Sequence, residues 1–268
     1  VVTIHDLIYR RVPEDYKPLD RVLYDFKYSR SARNATRVIA ISRRTRDDLV
    51  EDYQIDPARI DVIHQGCDPR FGLPVSYEDR QRVMETYHLP RRYFISVGTV
   101  RRRKNQMLAV RALERISLPM VIVGDRRSDY AREVAGFIAS HRLSDRVFWL
   151  DNVPFADLPA LYAMADFSSY TSRYEGFGLP VIESLSAGTP VIAATGSCLE
   201  EAGGPGAVYV APDDVDAFAD YAARLSDDVI FRDKCVSRGR QYIKRFSADE
   251  FARLTMATYR KAIIEKYL

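Results

Sequence analysis

Cysteine is scarce: three in 268 residues, Cys67, Cys198 and Cys235. They lie far apart, are odd in number and show no paired zinc spacing, so reduced thiols are expected rather than a disulfide framework or a zinc module. No apolar run approaches the roughly 18 residues that a membrane crossing needs, and no signal-peptide pattern is visible. The expected location is cytoplasmic, or the cytoplasmic surface of a membrane. The single Asp-x-Asp pair, Asp214-Val215-Asp216, stands at the start of a helical stretch, and there is no His-rich ligand set, so neither a metal nor a cofactor is expected. The Gly-x-Gly-x-x-Gly turn of a dinucleotide-dependent oxidoreductase is missing after the first strand. The net charge of +3 is too small to require a nucleic-acid partner. Internal repeats and low-complexity tracts are absent, and the sequence leaves the oligomeric state undetermined.

What is present is an ordinary globular balance, 47% hydrophobic and 29% charged, enough to bury sizeable cores without staples. Short β-rich apolar runs, at about 1–4, 38–41 and 60–63, alternate with helical patterns at 19–34 and 43–52. A second series of runs at 93–97, 120–123, 146–150, 167–169, 191–194 and 208–210 alternates with helical stretches, and two helices, 228–245 and 248–267, close the chain. This alternation predicts parallel sheets covered by helices, an α/β fold. Between the two series, Asp68-Pro69, Gly72 and Pro74 break the pattern and read as an interdomain link. The expected division is a first Rossmann-like unit over 1–66, a link over 67–92, a second unit over 93–246 and a terminal helix over 247–268 that crosses back to the first. The first series begins directly on a strand and has only three of them, so further upstream strands are expected.

The segment Glu175-Gly176-Phe177-Gly178-Leu179-Pro180, with Glu183 and then Ala187-Gly188-Thr189-Pro190, follows a strand and opens a helix. Gly176 and Gly178 are expected to let the backbone approach a ligand closely. Pro180 is tolerated in a first turn, and the free amides of a helix start suit a diphosphate. Carboxylates beside a phosphate site need another partner, and sugar or ribose hydroxyls are natural donors to Glu175 and Glu183. A second turn, Gly98-Thr99-Val100-Arg101-Arg102-Arg103-Lys104-Asn105, runs from a strand into cations at a helix start, a diphosphate cradle on physical grounds. Arg101 and Arg102 read as solvent-exposed. His5 stands at the carboxyl end of the first strand, which faces the crevice in open α/β sheets; Asp6 beside it suits a loop cap.

Together these motifs resemble glycosyltransferase family 4, whose E-x7-E pattern is matched by Glu175 and Glu183. The resemblance implies a GT-B fold with a complete C-terminal Rossmann-like domain and a partial N-terminal one. It implies that Glu175 contacts the transferred sugar, that Glu183 binds ribose hydroxyls, and that the backbone of Phe177, Gly178 and Leu179 meets sugar and phosphate. Gly98 and Thr99 would line the donor site, Lys104 would neutralise the leaving diphosphate with Arg103 as the second cation, and His5 would lie near the reaction centre. The chain departs from the family pattern at Thr99, where arginine is common, at His64-Gln65, where Pro-Asn is usual, and at Asp151-Asn152, where a Gly-aromatic pair is usual. The second departure is expected to affect only the hinge, the third the base pocket.

The implied reaction is retaining transfer of a hexosyl group, mannose-like by resemblance, from a nucleotide diphosphate sugar to a hydroxyl of a glycan or lipid-linked glycan. Alternatives are a nucleotide-sugar-binding module without catalysis and a GT-B sugar-nucleotide epimerase; a phosphorylase would need a cofactor lysine site that is not visible. Leu19, Val22, Leu23 and Phe26 form an apolar stripe among the basic residues between Arg21 and Arg46. Packing into the core is the expected fate of this stripe, and peripheral membrane contact the alternative.

Overall fold

The computed structural model describes residues 1–267. Two parallel sheets organise it. The first holds β1 (Val2–Ile4), β2 (Val38–Ala40) and β3 (Ile60–Val62) in the order β1-β2-β3, in register with Val38 opposite both Val2 and Ile60. The second holds β4 (Phe94–Val97), β5 (Met120–Val123), β6 (Val147–Leu150), β7 (Ser168–Tyr170), β8 (Val191–Ala194) and β9 (Ala207–Val210). Its order, β6-β5-β4-β7-β8-β9, reverses direction between β4 and β7. In a doubly wound sheet that switch point opens a crevice at the strands' carboxyl ends.

Strands such as Met120–Val123 and Val191–Ala194 are buried throughout, as parallel strands covered on both faces must be. β7 departs from this apolar rule. Its Ser168 hydroxyl donates to Ser184 Oγ at 2.7 Å, and Ser184 Oγ donates to the Thr189 carbonyl at 2.9 Å. Small polar side chains thus let the helix Leu179–Ser186 lie close on the sheet, with the hydroxyls of Ser168 and Ser184 both paired.

The stretch expected as a link contains a 3-10 turn, Pro69–Gly72, and a helix, Tyr77–Thr86. Its Phe71, Val83 and Leu89 are buried in one cluster with Tyr93, Ile95 and Leu161 of the second sheet's side. The closing helix Ala248–Tyr267 returns to the first sheet. Asp61 of β3 accepts from Thr258 Oγ1 at 2.9 Å and Lys261 Nζ at 3.1 Å, and Arg37 bridges Asp61 at 2.8 Å and Glu265 at 2.6 Å. The two chain crossings lie side by side, with the Cys67 amide donating to the Phe246 carbonyl at 2.8 Å.

One expectation fails. The helix Pro18–Asn34 buries Ala32 and packs Tyr28 against the first core, yet its apolar stripe faces outward, with Leu19 70% and Phe26 62% exposed. The tyrosines explain the rotation. Tyr24 and Tyr28 engage the rings of Tyr9 and Tyr16, which turns Leu19, Val22, Leu23 and Phe26 away from the sheet.

Candidate active site

The site assembles at the switch point from the loops after β4 and β7. The basic turn after β4 ends in a 3-10 helix, Arg102–Lys104, stopped by Asn105 in the left-handed region at φ 56°, a conformation asparagine tolerates. The loop after β7 clamps it. Arg173 N donates to the Arg103 carbonyl at 2.8 Å, with Ser172 Oγ 3.0 Å from the same oxygen, and Thr171 Oγ1 donates to the Asn105 carbonyl at 2.9 Å.

This clamp brings Glu175 between two cations. Its Oε1 lies 2.6 Å from Lys104 Nζ, 2.7 Å from Arg103 Nη1 and 2.6 Å from Ser172 Oγ. Lys104 Nζ also donates to the Tyr170 hydroxyl at 2.6 Å. Burial opposes ionisation of Glu175, but Lys104, Arg103 and the Ser172 hydroxyl outweigh it and hold the carboxyl below its usual range. Burial acts the other way on Lys104 and, with repulsion from Arg103, lowers its ammonium despite Glu175. The result is a desolvated cluster in which Lys104 and Arg103 share Glu175, with Asp15 3.7 Å from Arg103 Nε on the other side.

Three residues beyond Glu175, Gly178 leads into the helix Leu179–Ser186. Gly178 forms its N-cap at φ 127°, and no side chain caps it. The amides of Phe177, Gly178 and Leu179 donate to no group among the described residues. Three unengaged amides at a helix start, with the dipole behind them, constitute an anion-binding surface. Glu183 sits one turn further in. Burial is the main cause that raises its carboxyl to about 7, against the lowering effect of the Tyr162 hydroxyl at 3.4 Å.

The glycines divide their work differently from expectation. A Cβ on Gly176 would stand 2.4 Å from the His5 carbonyl oxygen, so Gly176 admits the other half of the molecule, not a ligand. Gly178 supplies the positive φ and packs on Leu199 and Ala202. His5 is exposed at the end of β1, its backbone against this turn. Asp6 caps the loop, its Oδ1 accepting from Ile8 N at 3.0 Å. Gly98 ends β4 at φ 140°. Thr99 is exposed, and its carbonyl accepts from Gln106 Nε2 at 3.1 Å. Arg101 and Arg102 are exposed as expected, Arg102 pairing with Glu133.

Several residues here give no sequence signal. The buried Cys198 thiol donates to the carbonyls of Glu175 at 3.1 Å and Phe177 at 2.9 Å, tying the turn from behind. Tyr174 donates to the buried Asp48, which also accepts from Arg44 at 2.6 Å and Arg11 at 3.0 Å. His64, expected to matter only at the hinge, stacks on Phe177 at 5.2 Å and pairs with Glu201 at 3.0 Å. The spacing from 48 to 174, or from 64 to 177, follows no period that a sequence displays. Among the described residues no cluster of three or more His, Cys, Asp or Glu side chains is placed to hold a metal ion.

Two facing α/β units with an amide-rich, cation-flanked crevice define a GT-B type glycosyltransferase fold. The chain belongs to the group 1 glycosyl transferases, whose family model matches residues 79–242, and residues 1–71 match the model of glycosyltransferase family 4. It is 29% identical to O-antigen chain mannosyltransferase B of Escherichia coli, over 97% of this chain and 70% of that protein. It is 27% identical to the MMP alpha-(1->4)-mannosyltransferase of Mycolicibacterium hassiacum, over 92% of this chain and 60% of that one. Among solved structures, Anabaena HepE in complex with UDP-glucose superposes with a TM-score of 0.83 at 22% identity, over 97% of this chain and 72% of that one. Sucrose-phosphate synthase of Thermosynechococcus elongatus superposes with a TM-score of 0.82 at 24% identity, over 98% and 68%.

Proposed function

We propose that this chain carries the donor site and part of the acceptor side of a retaining hexosyltransferase, moving a mannose-like sugar from a nucleotide diphosphate to a hydroxyl of a glycan or lipid-linked glycan. The observation that carries this reading is the set of unengaged amides of Phe177, Gly178 and Leu179 in the turn whose Glu175 is held by Lys104 and Arg103. A diphosphate at this turn would meet three N–H donors and two cations, preorganised in a desolvated crevice where such groups act most strongly.

In this reading the bond from the anomeric carbon to the departing phosphate oxygen breaks, and the acceptor oxygen bonds to the same face. The acceptor's hydroxyl proton passes to the departing phosphate. Lys104 and Arg103 stabilise the charge growing on the diphosphate. Glu175, pinned by three donors, is placed to orient sugar hydroxyls rather than to attack carbon, unlike the nucleophile of a retaining glycosidase. Glu183 receives the ribose hydroxyls, His5 approaches the sugar from the other half, and Gly98 and Thr99 border the phosphates. No step runs through a metal.

The base pocket in this reading is a cavity of about 310 Å³ lined by Asp125, Arg126, Arg127, Asp151 and Asn152, beyond the carboxyl ends of β5 and β6. Arg126 Nε lies 2.9 Å from Asp151 Oδ2. Guanine offers adjacent N–H donors to a carboxylate and an O6/N7 edge to a guanidinium, whereas uracil flanks its one N–H with two acceptors. The pocket therefore favours a guanine nucleotide. The mannosyl reading rests on the names of the relatives.

For the acceptor, the outward stripe Leu19, Val22, Leu23 and Phe26, bordered by the exposed Arg21, Lys27, Arg30 and Arg33, fits peripheral contact with an anionic lipid surface. A titration of GDP, UDP and their sugars against the wild-type chain and Glu183→Ala tests the donor site. Binding of a guanine nucleotide that is lost in Glu183→Ala is the expected result. Equal binding by both chains, or binding of none, would remove the assignment.

A further inference from the structure

His64 leaves β3 towards the chain crossing, and its ring lies against the donor turn. It stacks on Phe177 at 5.2 Å and 29° and meets Phe246 edge-on at 5.6 Å. Its Nε2 lies 3.0 Å from Glu201 Oε2. Glu201 belongs to the helix Leu199–Gly203 on the donor side, and the Tyr242 hydroxyl holds its carbonyl at 2.9 Å. The same carboxylate reaches across the molecule: Oε2 accepts from Arg43 N at 2.8 Å and Oε1 from Arg44 N at 3.1 Å. Arg43 and Arg44 open the helix Arg43–Tyr53 of the first half, so one donor-side carboxylate engages the free amides and dipole of the opposing helix. Phe177 is itself buried between Gly176 and Gly178. A continuous line of contact therefore runs from the first turn of that helix through Glu201 and His64 to Phe177, in the turn that bears the unengaged amides.

We propose that His64 and Glu201 form a positioning pair that couples seating of the first half to the shape of the donor turn. The pair itself touches no substrate. When the Arg43–Tyr53 helix docks on Glu201, Glu201 holds His64, and the imidazole face holds Phe177 with the amides of 177–179 directed into the crevice. The proposal rests on the donor-site reading for its kinetic consequence, but its structural content can be read without any ligand.

Two measurements on the full chain test it. The first is amide hydrogen exchange in the absence of nucleotide, on wild type, His64→Phe, Glu201→Gln and the double variant. His64→Phe keeps a ring against Phe177 and loses the pair. Exchange is expected to rise together at 43–46 and at 181–182, whose amides bond the Gly178 carbonyl behind the donor turn, in each single variant, by about tenfold, with the double variant no further changed, as for two residues acting as one unit. Independent, additive increases, or a rise confined to one of the two segments, would overturn the coupling. The second is a kinetic split with the donor. The single variants are expected to raise donor KM about tenfold, at a Tm close to wild type, with partial rescue in His64→Gln, whose amide still donates to Glu201. Unchanged KM beside altered exchange would break the link to the donor turn. If wild type binds no nucleotide, the donor-site reading fails and the exchange result still decides the coupling.

Discussion

Glu183 and Lys104 carry the sharpest residue-scale expectations. Glu183 is a buried acid raised to about 7, so the folded state binds its proton more tightly than the unfolded chain does. Its contribution to stability is full below the ordinary glutamate range and is lost as pH rises through about 7. In the proposed donor reading ribose hydroxyls donate more strongly to the ionised form, so donor affinity is expected to run the other way and strengthen over the same interval. Glu183→Gln is expected to raise Tm over wild type at pH 8, by roughly 2–4 °C for each kcal/mol of relieved burial, to match it at pH 4, and to bind nucleotide more weakly at pH 8. Thermal melts and titration calorimetry at the two pH values check both signs. In the proposed reading Lys104→Met removes a cation from the leaving group; it leaves Glu175 with Arg103 and Ser172. A loss of about 10²–10³ in kcat is expected, with a smaller change in donor KM, measured by steady-state kinetics.

At the level of elements, the turn 175–178 is shaped as much by the opposite half of the molecule as by its own helix. Gly176→Ala would drive a Cβ into the His5 carbonyl, where backbone on both sides prevents easy relief. A destabilisation of about 1–3 kcal/mol is expected, read as a shift in the urea midpoint. The helix Pro18–Asn34 gives a second test: Phe26→Ser is expected to reduce sedimentation with anionic vesicles several-fold while leaving the melting temperature unchanged, because Phe26 lies outside the core. The strands were legible because short runs such as Met120–Val123 are buried on both faces and flanked by amphipathic helices. The turn at Glu175 was legible because its residues are contiguous. The orientation of the helix Pro18–Asn34 was misread because tyrosines compete for the core: Tyr28 packs against the first core and the Tyr24 ring contacts Tyr9 at the surface, and a count of aliphatic residues gives them too little weight. Tyr174–Asp48, Cys198 and His64–Glu201 were not legible, since each joins positions whose proximity exists only after both sheets are folded.

For the whole molecule, Asp61 fastens the closing helix to the first sheet. Burial opposes its ionisation, but bonds from Arg37, Lys261 and Thr258 outweigh it and hold the carboxyl below the usual range. Its stabilising contribution is therefore present at neutral pH and is lost as pH falls through that lowered value. Asp61→Asn is expected to lower Tm at pH 7 and to narrow the gap to wild type on acidification, as melts from pH 7 to pH 3 would show. The paired chain crossings have a mechanical consequence. Gly66 packs against the backbone of Ala248, close enough that a Cβ there would stand 3.0 Å away, while Cys67 is bonded to Phe246. Two adjacent strands of backbone joining two rigid bodies behave like the knuckles of a door hinge: swinging about their common line is easy, whereas twisting or sliding across it must break the bond between them. A swing of the halves about that line would part the Arg43–Tyr53 helix from Glu201.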